Sequence, residues 1–342
     1  MVQPAVSVVL STFNRADSVA RAIEALLSQR EPPHAYEIIV VDNNSTDATA
    51  DVVKEASARP GPAVRYVFEG RQGLSHARNA GIAASLAPIV AFTDDDVCVS
   101  REWVGEIRQV FAAHPEIECV GGRTLPIWPA PPPPWLTSLH WVGPLALQDY
   151  GDEPFTIDAR RPLCLAGANL VFRKSAFARI GGFSPEFRRA QDTECLVRLW
   201  RAGGKSLYVP SLIVHAHVQP ERLTKSYHRR WHMNIGRWNA RMRLEELSDP
   251  VLGLRPAPWR PTHLFGTPSF VYRQFVREVW SWAWHRAAGR EARAFYHENR
   301  MRALVGYSRE WRAMRQRKTD RAHTATPSET IPTAPVGARS EM

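Results

Sequence analysis

Short apolar, β-branched runs alternate with stretches of helical periodicity along the first part of the chain. Residues 6–10, 37–41, 64–68 and 89–92 read as buried strands. Between them, residues 17–29 place Val19, Ala22, Ile23, Leu26 and Leu27 on one helical face, residues 74–85 form a later helix, and Ser45 is placed to cap a helix over 46–57 with Asp47 in its first turn. This β-α-β-α-β-α-β series predicts an α/β fold: a single, mostly parallel sheet sandwiched by helices. Ligands of such sheets bind beyond the carboxyl ends of the strands, so the chemistry should follow each strand. Residues 126–134 are too rich in proline for helix or interior strand and predict an extended loop, flanked by Trp128, Trp135 and Trp141. Regular structure resumes with an apolar stretch over 163–172, a turn at Gly181-Gly182, a helix over 192–202 and a strand over 206–209. Past 221 the chain becomes Arg- and Trp-rich and helical in spacing, and from 316 its Thr, Pro, Ala and charged residues predict disorder. The expected organisation is a core over 1–220, a basic helical extension over 221–315 and a tail over 316–342.

Composition narrows the class. The chain has 342 residues, 44% hydrophobic and 23% charged, which excludes collagen, coiled coil and wholesale disorder. No apolar run approaches the roughly 18–20 residues of a spanning helix, and the N-terminal run lacks a preceding cation and a cleavage site. A cytoplasmic location is therefore expected. Cys98, Cys119, Cys164 and Cys195 have neither metal-knuckle nor disulfide-framework spacing and read as reduced, mostly buried thiols. The net charge of +10 is uneven: residues 221–321 hold 22 basic against 9 acidic side chains, leaving 22 against 25 elsewhere. That asymmetry fits an anionic partner, a membrane face or nucleic acid. Because only five of the 44 basic residues are lysine, the Arg bias reads as a compositional habit, and nucleic acid is not expected.

Polar residues suited to a nucleotide and a cation sit at strand end after strand end: Thr12 and Asn14, then Asp42, Asn43, Asn44 and Ser45, then Thr93 and Asp94-Asp95-Asp96. Three consecutive aspartates repel one another unless a divalent ion or strong donors lie between them, and hard oxygen ligands select Mg2+ or Mn2+ over Zn2+. A solvated acidic turn capping a helix explains the same residues equally well. Neither G-x-x-x-x-G-K-[ST] nor G-x-G-x-x-G follows the first strand. Phosphates must then be neutralised otherwise, by a metal on Asp94 and Asp96 with help from Arg71 or Arg78.

The segments V-S-V-V-L-S-T-F-N-R, E-I-I-V-V-D-N-N-S-T-D, G-L-S-H-A-R-N-A-G-I, V-A-F-T-D-D-D, G-A-N-L-V-F-R-K and G-G-F-S-P-E-F-R-R-A-Q-D-T-E occur in this order. Together they resemble the motif series of the family 2 glycosyltransferases, inverting enzymes of GT-A fold, over roughly residues 5–220. The resemblance implies that Thr12, Asp42 and Arg78 line a base and ribose pocket and that Asp94 and Asp96 end a D-x-D motif on the metal. It also implies that Asp192 is the catalytic base. Gln191 stands where the family often has Glu, a departure that leaves the base in place, and Glu194 is a supporting carboxylate. Of the two histidines in V-H-A-H-V, His217 is favoured over His215 as a further metal or phosphate contact. Gly167, Ala168 and Asn169 would floor the space between donor sugar and acceptor, and Trp128, Trp135 and Trp141 would either stack on a sugar or pack a lid.

The implied activity is metal-dependent transfer of a sugar from a nucleotide-sugar donor, a UDP-sugar favoured, to a hydroxyl of a glycan or lipid-linked acceptor in cell-surface polysaccharide synthesis. A catalytically silent module binding a partner through the basic third is the alternative, disfavoured because both Asp96 and Asp192 are present. A nucleotidyltransferase would want a Gly-rich basic loop where Ser11-Thr12-Phe13-Asn14 stands. In residues 270–285 the polar side chains Arg273, Gln274, Arg277, Glu278, Ser281 and His285 fall within about 140° of a helical wheel and apolar ones fill most of the rest. Such a helix either lies on the cytoplasmic face of an anionic membrane or docks on protein.

Overall fold

The computed structural model describes residues 3–243, 248–249, 253–254 and 262–324. The predicted alternation is present: β1 (Val6–Thr12), α1 (Ala16–Leu27), β2 (Tyr36–Asp42), α2 (Thr49–Ser57), β3 (Ala63–Phe68), α3 (Leu74–Ala84) and β4 (Ile89–Asp94) follow in turn. After them come β5 (Val97–Val99), α4 (Trp103–Ala113), β6 (Cys119–Ile127), β7 (Phe155–Ile157), β8 (Leu170–Arg173), α5 (Lys174–Ile180), α6 (Gln191–Arg201) and β9 (Ser206–His217). The main sheet runs β3-β2-β1-β4-β8-β6-β9-β5, with β7 also on β9. Its first half is parallel, as expected, since β1 pairs in parallel with both β2 and β4, and β2 with β3. The second half is mixed: β8 is antiparallel to β4 and β6, β5 and β7 are antiparallel to β9, and only β6 and β9 run parallel.

Every residue of β1 and β2 is buried. The strand period of two sends Val8, Leu10, Ile38 and Val40 to one face, where α1 and α4 cover them with Ile23, Leu26, Trp103 and Ile107. Val9, Ile39, Val41 and Phe92 face the other side, beneath Ala77, Leu196 and Leu199 of α3 and α6. Each large side chain so removed from water contributes roughly 1.5–3 kcal/mol. On the second face α3 lies hard against β1: a Cβ on Gly81 would fall 2.3 Å from Val9 Cγ1. That close approach carries Arg78, one turn earlier on α3, under the end of β4.

Several boundaries differ from the sequence reading. Helix α2 begins at Thr49, because Asp47 Oδ1 accepts from the Thr49 N–H at 3.1 Å and takes the role expected of Ser45. Ser45 Oγ instead accepts from Asn14 N–H at 2.9 Å, tying the first two strand-end loops together. The apolar stretch over 163–172 is strand only at its end, with a 3-10 turn at Gly167–Asn169 before it. Strand β9 is much longer than expected because a bulge opposite Gly122 and Arg123 lets it bend and continue to His217. The four cysteines are free; Cys119 and Cys195 are buried and Cys98 and Cys164 partly so.

The basic third is helical: α7 (Lys225–Arg243), α8 (Ser269–Ala287) and α9 (Glu291–Thr324) pack on one another. Helix α9 runs through Thr324, so the start of the segment expected to be disordered is helical, and residues 325–342 lie outside the described residues. Helix α8 is oriented opposite to a soluble amphipathic helix. Its buried residues are Val271 and Glu278, while Val276, Trp280 and Trp284 are exposed. Among the described residues no helix is long and apolar enough to cross a membrane.

Candidate active site

Parallel pairing brings the carboxyl ends of β1, β2 and β4 to one edge, with Thr12 opposite Asp42 and Ser11 opposite Asp94. A cleft of about 430 Å³ opens there, lined by Ser11, Thr12, Phe13, Arg15, Asn43, Gln72 and all three aspartates. The aspartates do not act as equals. Asp95 is buried and already paired, accepting from Thr12 Oγ1 and from Arg15 Nη1, both at 2.8 Å. Asp94 accepts from Arg78 Nη2 at 3.3 Å. Asp96 has Arg15 3.6 Å away and also feels the charge of Arg222 across the cleft. Burial, and then the negative charge of Asp94 and Asp95, push the Asp96 carboxyl up to about 6.

Asp192 lies in the first turn of α6, where the helix dipole favours a carboxylate. Ala190, in the left-handed region at φ 58°, turns the chain into that helix. The Asp192 side chain is held on both oxygens: Oδ2 accepts from Gly167 N–H at 3.2 Å and Oδ1 from Thr193 N–H at 2.7 Å. It faces a second cavity of about 540 Å³ whose wall includes Gln148, Gln191, Arg222, Tyr227 and Trp231. The two cavities meet, sharing Leu74, Asp94 and Arg222. Behind the cavity walls Arg78 is buried between Phe92 and Phe183, its guanidinium carbon 5.8 and 5.3 Å from the ring centroids, and its Nη2 donates to Gly167 O at 3.1 Å. Arg78 Nη1, Ser11 Oγ and Gln191 Oε1 are buried without a partner among the described residues, leaving hydrogen-bonding capacity in and beside both cavities.

Thr12, Asp94, Asp95, Asp96, Gly167, Gln191 and Asp192 are thus brought together as the sequence suggested, but other expected site residues are used elsewhere. Asp42 is buried and spends its oxygens on Ser45 N–H and Tyr66 Oη, at 2.8 and 2.7 Å, so it braces the edge of the sheet. Asn14 and Asn44, both at positive φ, shape the turns; Asn14 Oδ1 accepts from Thr46 N–H at 2.7 Å. Arg71 is exposed and forms a two-pronged pair with Glu69. Arg78 lines neither cavity and lies behind their walls, bound to Asp94 and Gly167. Ala168 packs into the core, and Asn169 is fully buried, donating to Arg123 O and Leu212 O and accepting from Trp103 Nε1. Glu194 is bound to Arg198, whose other donors hold Ile180 O and Gly182 O, so it secures the Gly181-Gly182 turn.

Trp135 is buried edge-on against His140, His228 and Phe295, with centroids 5.7, 5.1 and 4.9 Å away, where it cannot meet a sugar. Trp128 and Trp141 pack on the core beside each other. His217 donates its backbone N–H to Asp96 O at 3.0 Å, but its ring lies 3.9 Å from Cys98 Sγ. Among the described residues no three His, Cys, Asp or Glu side chains gather as a metal group, so His217 does not complete one with Asp94 and Asp96.

Sequence reasoning passed over Arg15, Arg222 and Trp231, and it named Asn43 only as one of the strand-end polar residues. Arg15 closes the T-F-N-R segment, directly after the first strand end, and Arg222 stands five residues past His217. Their positions carried a signal. Asn43 is the hub behind the cleft, donating to Glu69 O and Arg71 O and accepting from Gly73 N–H. Nothing local marked Trp231, which reaches the second cavity because α7 packs against the loop around Gly143.

The family model "Glycosyl transferase family 2" matches residues 7–181, about half of the chain, and the chain belongs to that family. Its fold is the GT-A fold. It is 30% identical over 222 residues to the validoxylamine A glucosyltransferase of Streptomyces hygroscopicus subsp. limoneus, covering 58% of this chain and 49% of that one. It is 25% identical over 190 residues to the glucosyl-dolichyl phosphate glucuronosyltransferase of Haloferax volcanii, covering 55% and 58%. The chain thus spans about half the length of these relatives. Among solved structures it resembles the mannosyltransferase PcManGT of Pyrobaculum calidifontis in complex with GDP-Man and Mn2+, with TM-score 0.60 and 18% identity over 90% of this chain and 87% of that one. It also resembles S. aureus TarS 1-349, with TM-score 0.50 and 16% identity over 91% of each chain.

Proposed function

We propose that the chain moves a sugar from a nucleoside-diphosphate donor in the first cavity to a hydroxyl of an acceptor in the second, with inversion at the anomeric carbon. The observation that carries this reading is the meeting of the two cavities at Asp94 and Arg222, with Asp192 facing the acceptor side. An in-line displacement needs donor and acceptor to face each other across one reacting carbon, and shared walls supply that arrangement. Asp192 takes the proton of the attacking hydroxyl. Its hydrogen bonds from two backbone N–H groups fix the carboxylate without occupying all of its acceptor sites. Arg222 meets negative charge on the donor, Arg78 braces Asp94 from behind, and Arg15 holds Asp95 so that Asp94 and Asp96 are left for the cation.

The residues fit a divalent ion. Asp94 and Asp96 are hard oxygen donors, partly open, and their mutual repulsion is what a cation relieves. A site of two carboxylates completed by diphosphate oxygens is the ordinary way Mg2+ is held, and Mn2+ suits the same ligands. When bound, the ion offsets the charge of the departing diphosphate. The Pyrobaculum structure in complex with GDP-Man and Mn2+, and the GalNAc-T7 structure with UDP, GalNAc and Mn2+, support a cation-bound nucleotide sugar. A UDP-sugar is the favoured donor, and a saccharide or lipid-linked saccharide the favoured acceptor, with Tyr227 and Trp231 as its aromatic walls.

Calorimetric titration of UDP and of GDP, with Mn2+ and then with EDTA, tests the reading. Binding of one of them is expected only with the ion, and Asp96→Asn should abolish it. Equal affinity with and without the ion would overturn the assignment.

A further inference from the structure

Helix α8 buries charge and exposes tryptophan. Its inward pole is Glu278, which accepts from His297 Nδ1 at 2.6 Å and Arg300 Nε at 2.8 Å on α9. The opposite face carries Val276, Trp280, Ala283, Trp284 and Ala287 at helical spacing, with Val276, Trp280 and Trp284 exposed to 54%, 73% and 68%. Val279 and Trp282 are exposed beside them. A contiguous apolar stripe of this kind is unusual on a free surface and marks an interaction site.

The charges around the stripe define the partner. Arg273, Arg277, Arg286 and Arg290 are exposed along α8 and at its end, and the helix's one carboxylate, Glu278, is buried. A second copy in two-fold contact would bring these arginines against their own counterparts, an arrangement that like charge disfavours. An anionic lipid surface satisfies both features at once: tryptophan rings enter the headgroup boundary while the arginines flanking them reach phosphate.

We propose that the exposed face of α8 is a docking surface for an anionic membrane, seated through Trp280 and Trp284 and flanked by the four arginines. It lies outside both cavities of the candidate site, so docking leaves them free.

Flotation of the full-length protein with phosphatidylcholine vesicles, with and without phosphatidylglycerol, tests this. The protein should float with the anionic vesicles at low salt, and high salt should weaken binding. Trp280→Glu/Trp284→Glu should lower vesicle affinity roughly ten-fold or more, with an unchanged melting temperature, since both side chains are already in water. Arg273→Glu/Arg286→Glu should do the same for anionic vesicles and leaves the apolar stripe intact. No flotation at low salt overturns the proposal, as does equal binding of wild type and both double variants. Sedimentation that shows self-association abolished by Trp280→Glu, without vesicle binding, would make this face a contact between copies and also overturn it.

Discussion

Asp192 and Asp96 are both carboxylates beside the same junction, and their surroundings assign them different work. Asp192 is held by backbone donors at the mouth of a helix, whereas Asp96 is crowded by Asp94 and Asp95. Asp192→Asn should therefore leave nucleotide affinity near wild type and lower turnover by about 10²–10⁴, the usual worth of a positioned general base. Steady-state kinetics beside calorimetry of nucleotide binding checks the split. Gly167→Ala should mimic it by displacement. A Cβ there would fall 2.7 Å from Arg78 Nη2 and 3.0 Å from Asp192 Oδ2, so both side chains must move although neither is removed. If the Gly167→Ala enzyme kept full turnover, the placement of these two groups would not matter to the reaction.

At the scale of elements, the wall of the second cavity depends on how closely α7 and α9 approach. A Cβ on Gly236 would fall 2.0 Å from Ala303 O, and one on Gly306 2.0 Å from Met233 O, so each helix runs backbone against backbone at these points. Gly236→Val must push the helices apart. It should cost about 1–3 kcal/mol in urea unfolding, the range for overpacking a tight contact. It should also weaken acceptor use more than nucleotide binding, because Trp231, Ile235 and Asn239 on the same helix line the cavity that Asp192 faces. An unchanged urea midpoint would mean that the contact is not tight in solution.

Across the whole molecule, the basic helices attach to the sheet through an aromatic cluster that contains neutral histidines. His228 is fully buried beside Trp135 and Phe295, its Nε2–H donating to Arg222 O, and burial pushes its pKa down to about 4; burial does the same to His232. A histidine with a folded pKa below its unfolded value of 6.5 binds fewer protons when folded. The stability it allows is complete above 6.5 and declines as pH falls toward about 4. For His228 alone the decline is on the order of 3 kcal/mol. Urea unfolding of wild type across that window should show it, and His228→Gln, which keeps a donor for Arg222 O, should flatten the slope. Carboxylates such as that of Glu69, held down to about 2 by Arg71, lose their contribution as pH falls from about 4.5 toward 2 and overlap only the bottom of the window, and the comparison with His228→Gln removes that common part.

The sequence by itself determined the α/β class, the four leading strands, the strand-end placement of the aspartates and the uneven charge. Each of these is carried by local periodicity, or by composition and order along the chain. Asp192 was marked by the resemblance of its segment to a family motif, at the start of a helix the sequence also predicted. Which polar residues face a ligand was decided only by the tertiary structure. Asp42, Asn169 and Glu194 carry the same chemistry as Asp94, Gln191 and Asp192, and what separates them is that the packing of the sheet and helices leaves only the latter three on the cavity walls. Trp135 and Trp231 are likewise one residue type sent to different fates, one into the aromatic cluster and the other to the cavity wall, by the way α7 and α9 pack. The wheel of α8 showed a broad apolar arc, but that arc points outward because Glu278 finds His297 and Arg300 on α9, a pairing no local pattern contains.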